Sequence, residues 1–326
     1  MRGWFRAGFM AAMMSLAPVC GLQAQTAYPN KPIRIVVPYA PGGATDIMAR
    51  TVAQRLGEQL GQSVLVENKP GANSGIGADA VAKAPADGYT LLFTNDATFV
   101  LNPVLFSSLS YNMARDFVPV ATVAYLNLAL VVSSTLPVNN FSELVAYTKA
   151  QSGKISYGSY GVGSQAHLMG EMYKKLSATD IVHVPYKGSA LAVADVIGGQ
   201  VVFTFPAITT IQGFLKSGKV KALAISGEKR SALLPDVPTF AEVGYKDMDI
   251  GAWYAFFAPA GTPREVIAKL NAAVATLLSN RDFVDQQLVT QGMVPMNMTP
   301  DKVTALIRSE TERMGRIVKL SGATVE

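Results

Sequence analysis

From Ile33 onward, short apolar runs rich in β-branched residues alternate with longer stretches of helical period. IRIVV begins at Ile33, a helical pattern runs from Thr45 to Leu60, SVLVE follows, a second helical pattern spans about Gly75 to Lys83, and TLLFT closes the set. This order predicts a β-α-β-α-β unit, a parallel sheet buried on both faces. A second set follows, with KISYGSY, a helix from about Ser164 to Leu176, IVHVPY, a helix from about Ala190 to Ile197, then VVFTF and KALAIS. The apolar segment DFVPVATVAYLNLALVVSS is expected to leave the first domain and enter the second, and IGAWYAFFAPAG to return.

The last quarter is helical. Thr262-Pro263-Arg264-Glu265 offers an N-cap hydroxyl, a proline at the first helical position and a glutamate able to complete a capping box. Thr299-Pro300 repeats the first two elements before a helix ending near Leu320, with Lys319 at the negative end of its dipole and Gly322 stopping it. The pattern divides the chain into a leader over 1–24, a first domain over 25–125 plus 250–326, and a second over 126–249. Such a chain makes a two-lobed α/β clamp, with each domain a mostly parallel sheet flanked by helices and a cleft at the carboxyl ends of the strands.

Composition changes this picture little, and position changes it more. Apolar residues make up 49% of the chain, yet the longest run, Ala7 to Val19, follows Arg2 and Arg6 and precedes Leu22-Gln23-Ala24, the layout of a cleaved secretory signal. A soluble exported protein beginning near Gln25 is expected, since no later run is long enough to span a bilayer. Cys20, the single cysteine, falls inside that leader behind a poor lipidation sequence. Without Arg2 and Arg6 the net charge falls from +5 to about +3, spread without the basic stripe that nucleic acid requires.

PGANSGIGAD, from Pro70 to Asp79, has the glycine spacing of a dinucleotide loop. A short-chain dehydrogenase also needs a tyrosine with a lysine four residues on, and no tyrosine here has one. The stretch follows the second strand and not the first, so backbone geometry is its expected role, and no cofactor is expected. VPYAPGGATD instead ends the first strand: Gly42 and Gly43 permit a sharp exit that leaves the amides of Gly43, Ala44 and Thr45 bare at a helix start. Asp46 there is a cap or a ligand contact. SYGVGSQAHL repeats the device with Gly161, Gly163, Ser164 and His167. The two helix starts, each able to hold an anionic group, form a binding constellation. His167 reads as a structural residue more readily than as a catalyst, and VPYKGSA places Tyr186 and Lys187 where a ring or a cation could meet a carboxylate. No G-x-S-x-G elbow and no cluster with metal-ligand spacing accompanies the only histidines, His167 and His183.

YPNKPIRIVVPYAPGGATDIMAR, VENKPGANSGIGADAVAKAPADGYTLLF, YGSYGVGSQAHLMGE, VHVPYKGSALAVADVIGGQV and FFAPAGTPREVIAKLN together resemble the successive signatures of the Bug receptor family. Its members are periplasmic substrate-binding proteins of tripartite tricarboxylate transporters. The resemblance spans essentially the whole mature chain and implies a type II-like periplasmic-binding-protein clamp that closes on a small mono-, di- or tricarboxylate. It implies a monomer that delivers its ligand to membrane permease subunits. It maps the ligand site onto Tyr39, Gly42, Gly43, Ala44, Thr45 and Asp46, then Asn95 and Thr98, then Ser159, Gly163, Ser164 and His167, with Tyr186, Lys187, Phe205 and Ala207 completing the wall. Val202 and the segment after Tyr111 depart from the family pattern outside these loops. An exported α/β enzyme and the effector-binding half of a transcription regulator are the alternatives; the second needs a DNA-binding helix pair where the leader stands.

Overall fold

The computed structural model describes residues 28–322, so the expected leader and its cleavage point lie outside the described residues. Two sheets carry the fold. Strands β1 (Ile33–Val37), β2 (Val64–Asn68), β3 (Thr90–Asn95), β4 (Phe117–Leu126), β10 (Ala252–Pro259) and β11 (Met293–Pro295) form the first, in the order β11-β4-β10-β3-β1-β2. The second has the order β7-β6-β8-β5-β9, from β5 (Ala129–Ser133), β6 (Ser156–Ser159), β7 (Val182–Pro185), β8 (Phe203–Thr204) and β9 (Val220–Ile225).

Both sheets are mixed where mostly parallel sheets were expected. The β-α-β sets β2-β1-β3 and β7-β6-β8 are parallel, and the strands that carry the chain between sheets pair antiparallel beside them. The long apolar segment is two strands broken at Asn127 and Leu128, and the return from β9 to β10 passes through Ser226 and Gly227. The two crossings are tied together: the Asn127 side-chain amide donates to the Ser226 carbonyl, and the Leu128 amide donates to Ser226 Oγ at 2.9 Å.

Strand alternation sorts the core. Ile33, Ile35, Val37, Leu91, Phe93, Tyr254 and Phe256 face one side of the first sheet, covered by the helices Ala44–Leu60 and Arg264–Ser279. Val36, Leu92, Ala255 and Phe257 face the other, in a core that continues through Ile307 and Met314 of the Pro300–Ser321 helix to Leu130, Tyr157 and Phe203 of the second sheet. The two sheets therefore share apolar packing on one side and are free to present loops on the other.

Most helix bounds shift by a residue from expectation, the usual imprecision of helix ends. Two helices that the pattern reading passed over, Phe141–Ala150 and Ile208–Lys216, flank the second sheet. The expected capping box at Thr262 is absent: its hydroxyl donates to the Pro259 carbonyl at 2.8 Å, and the helix begins at Arg264 behind Pro263. The Thr299-Pro300 start and the Gly322 stop are in place, with Gly322 at φ 71°. PGANSGIGAD is a turn into the Gly75–Ala82 helix, as its place after β2 implied. A Cβ on Gly77 would lie 2.7 Å from Pro38 Cβ, so this glycine lets the helix press against the end of β1.

Candidate functional site

The loops leaving β1, β3 and β6 meet at the carboxyl ends of those strands, where a ligand site is expected in open α/β sheets. On the first-sheet side, Gly43 is the N-cap of the Ala44–Leu60 helix in extended backbone, and the amides of Gly43, Ala44 and Thr45 have no hydrogen-bond acceptor among the described residues. Asp46 is a brace in this geometry. Its Oδ2 accepts from the Gly42 amide at 2.9 Å, and its Oδ1 accepts from Arg50 Nε at 3.0 Å and Asn68 Nδ2 at 2.9 Å. Burial pushes its pKa up, but the bonds from Arg50, Gly42 and Asn68 outweigh that and hold it below the ordinary aspartate value. Asn68 Nδ2 also donates to the Tyr39 carbonyl at 3.1 Å, pinning the loop to the end of β2.

Above this loop lies a net of hydroxyls. Tyr39 donates to Asn95 Oδ1 at 2.7 Å, and Tyr254 engages Thr45 and Asn95. Burial pushes the Tyr39 phenol up to about 12, so it acts as a neutral donor and acceptor at physiological pH. Behind it, Thr98 Oγ1 lies 2.6 Å from Thr94 Oγ1 and 3.3 Å from Tyr39. Thr98 is fully buried, so it supports Tyr39 and is not itself a lining residue.

On the second-sheet side, β6 ends at Ser159 and the chain turns through Gly161 and Gly163 into the Gln165–Ser177 helix. Ser164 is its N-cap, accepting from the His167 amide at 3.2 Å and donating to the Gly161 carbonyl at 2.7 Å. The Gly163 amide donates to His167 Nδ1 at 3.2 Å. His167 stacks on His183 with centroids 4.2 Å apart, and His183 Nε2 lies 2.7 Å from Ser159 Oγ, which itself bonds to the Gly161 backbone. Desolvation lowers both imidazole pKa values, and the like charge of His167 helps bring His183 down to about 4. Ser159, Ser164 and His167 thus have their side chains committed to holding the loop.

The remaining expected wall residues divide. Tyr186 donates to Asp195 Oδ2 at 2.6 Å, Lys187 is exposed, and Ala207 heads the Ile208–Lys216 helix beside the crossing at Leu128. Phe205 is 0% exposed and packs edge-on against Phe203, which places it in the core and off the wall.

Four residues that the motifs did not single out, three of them inside the expected stretches Asn95 to Thr98 and Ser159 to His167, bring the two loops together. Gln165 Nε2 donates to Asp96 Oδ1 at 3.2 Å, and Gln165 Oε1 accepts from the Tyr160 hydroxyl at 3.1 Å. The Tyr160 hydroxyl also receives the Ala166 amide, and its pKa is raised first by burial and then by Tyr254, Asp96 and Tyr39. Asp96 and Tyr160 adjoin expected positions and Gln165 follows Ser164, so adjacency was an available signal. Tyr254 had none, because it reaches the site only through the pairing of β10 with β3 opposite Asn95.

A model of the tripartite tricarboxylate transporter family receptor matches residues 48–323. Protein BugT of Bordetella pertussis is 38% identical over 319 residues, covering 98% of this chain and 96% of that protein. A solved periplasmic transporter protein is 40% identical, with a TM-score of 0.83 over 92% of this chain and 100% of its own. R. palustris Rpa4515, solved with adipate, is 33% identical, with a TM-score of 0.84 over 91% of this chain and 99% of its own. A family match over most of the chain, with whole-length relatives of the same two-sheet fold, leaves one assignment: the chain belongs to the tripartite tricarboxylate transporter receptor family.

Proposed function

We propose that this receptor captures a small carboxylate between its two sheets and hands it to the permease subunits of a tripartite tricarboxylate transporter. The observation that carries the reading is the convergence of two helix starts, with the Gly43, Ala44 and Thr45 amides on one side and the head of the Gln165–Ser177 helix on the other. Amides aimed outward from a helix start bind an anion without a cationic side chain, and the phenols of Tyr39, Tyr160 and Tyr254 supply neutral partners around it. Capture of adipate by a relative of the same architecture supports this ligand class.

The domains are 25–125 with 250–326 and 126–249, moving about the paired crossings at Asn127 and Ser226. The mature protein is periplasmic, released from its leader near Gln25, works as a monomer and leaves its ligand chemically unchanged. His167 and Ser159 serve the loop and not a reaction, since each is engaged within it.

A thermal-shift and calorimetric panel of mono-, di- and tricarboxylates on the mature protein tests the reading. Saturable binding of a carboxylate recovered intact by mass spectrometry is expected. A converted product would replace the receptor with an enzyme, and no binding across the panel would overturn the carboxylate assignment.

A further inference from the structure

Asp96 brings a carboxyl to the meeting of the two loops, and it is 5% exposed. Its carboxyl accepts from its own amide, the Ala97 amide and Gln165 Nε2, which fills three of about four lone-pair positions. Among the described residues no cationic side chain forms an ion pair with it. The charged group that acts on it most strongly is Glu310 of the Pro300–Ser321 helix, another carboxylate, itself paired with Arg313 at 2.7 Å. The other groups turned toward it are phenols: Tyr39 after β1, Tyr125 of β4, Tyr160 after β6 and Tyr254 of β10. Thr45 and Asn95 both engage Tyr254, so the amide end of the site and Asp96 lie within the span of one tyrosine and its neighbours.

Building on the carboxylate-receptor reading, we propose that Asp96 determines specificity: the site takes a carboxylate that also carries a protonated amine, with the ammonium against Asp96. Without a countercation, Asp96 ionises only beside a ligand that brings positive charge and donors, and once ionised it disfavours a second carboxylate there. Burial, followed by Glu310, pushes Asp96 up to about 8, so near neutral pH it holds a proton. An arriving ammonium displaces that proton to solvent and leaves an ammonium–carboxylate pair. Gln165 reports the event across the site, because the same Asp96 carboxyl holds the second-sheet loop.

Calorimetry with pairs matched in length tests this: adipate against 5-aminopentanoate, succinate against β-alanine, and propionate against alanine. In at least one pair the amine member is expected to bind about tenfold tighter or more, the range of a charge-assisted contact, and Asp96→Asn should bring that ratio within about threefold. In buffers of different ionisation enthalpy, wild-type binding should release about one proton per ligand near neutral pH and the Asp96→Asn protein none. Should Asp96→Asn fail to fold, the wild-type ratio and proton release decide by themselves. Tighter binding of the amine-free member in every pair, or a ratio unchanged in Asp96→Asn, would overturn this inference alone. No binding by either member of any pair would overturn the receptor reading along with it.

Discussion

The two loops of the candidate site use one backbone device with two different chemistries. In each, the residue before the N-cap is a glycine whose amide donates to the side chain at the third helical position: Gly42 to Asp46, and Gly163 to His167. In the first loop that side chain is a carboxylate, locked by Arg50 and Asn68 and ionised at any ordinary pH. In the second it is an imidazole, stacked on His183, whose nitrogen accepts only while unprotonated. Equivalent geometry therefore has unequal tolerance of acid and of mutation. The first loop is braced by charge and leaves the Gly43, Ala44 and Thr45 amides without an acceptor among the described residues; the second is braced by neutral rings and presents a tightly tied turn.

Disabling the first loop should produce the largest effect. Gly43→Pro removes one amide donor at a φ of −79° that proline accepts, and adds a ring where a carboxylate approaches. A hydrogen bond to a charged group is worth ~1.5–3 kcal/mol, so the amide alone accounts for roughly ten- to a hundredfold in affinity and the ring should abolish binding. Calorimetry checks this once an unchanged ligand-free melting temperature shows the variant folded. The exposed Lys302→Ala serves as the comparison and should bind as wild type.

Removing the charged brace comes next. Asp46→Ala strips the acceptor from Gly42, Arg50 and Asn68 and should destabilise the protein by about 2 kcal/mol, read as a lower denaturant midpoint with the m-value unchanged. A loss below a few tenths of a kcal/mol would show that the Asn68 bond to the Tyr39 carbonyl holds the loop without it.

Acid should separate the two loops. His183 falls from the ordinary 6.5 to about 4, so the unfolded chain binds the extra proton between those values. The stability from this neutral histidine is complete above pH 6.5 and is lost as pH falls toward 4. Asp46 has a lowered pKa, so its contribution persists through that window and declines only below the ordinary aspartate value. His167, which accepts from Gly163 and stacks on His183, also has its pKa lowered by desolvation, so amide exchange in acid should show Gly163 losing protection as these imidazoles take up protons while Gly42 keeps it, after correction for intrinsic rates. Parallel loss at both glycines would mean that the loops open as one unit.

The smallest expected effect is that of Ser164→Ala. The hydroxyl caps the helix and closes on Gly161, so its removal should cost about 1 kcal/mol of stability and weaken binding modestly. A much larger loss of affinity without loss of stability would assign the hydroxyl to the ligand.

The sequence by itself determined the two β-α-β sets, the two glycine turns into helix starts and the family signatures, because period and turn chemistry are local properties of neighbouring residues; the helices Phe141–Ala150 and Ile208–Lys216 escaped it. It also placed Asn95 and the Gly43 to Thr45 amides, which lie where strand ends predict them. Tertiary structure decided which side chains around those turns face the site. Ser159 and Ser164 looked alike as polar loop residues, yet each is turned inward to brace the loop, and Phe205 and Thr98 sit at strand ends that packing closes over. Tyr254 enters because β10 returns between β3 and β4 and sets it opposite Asn95, and Asp96 meets Gln165 because the two sheets share a core that holds their loops together. These pairings join residues remote in sequence, and their energy comes from burial and long-range hydrogen bonds, which no local window of the chain encodes.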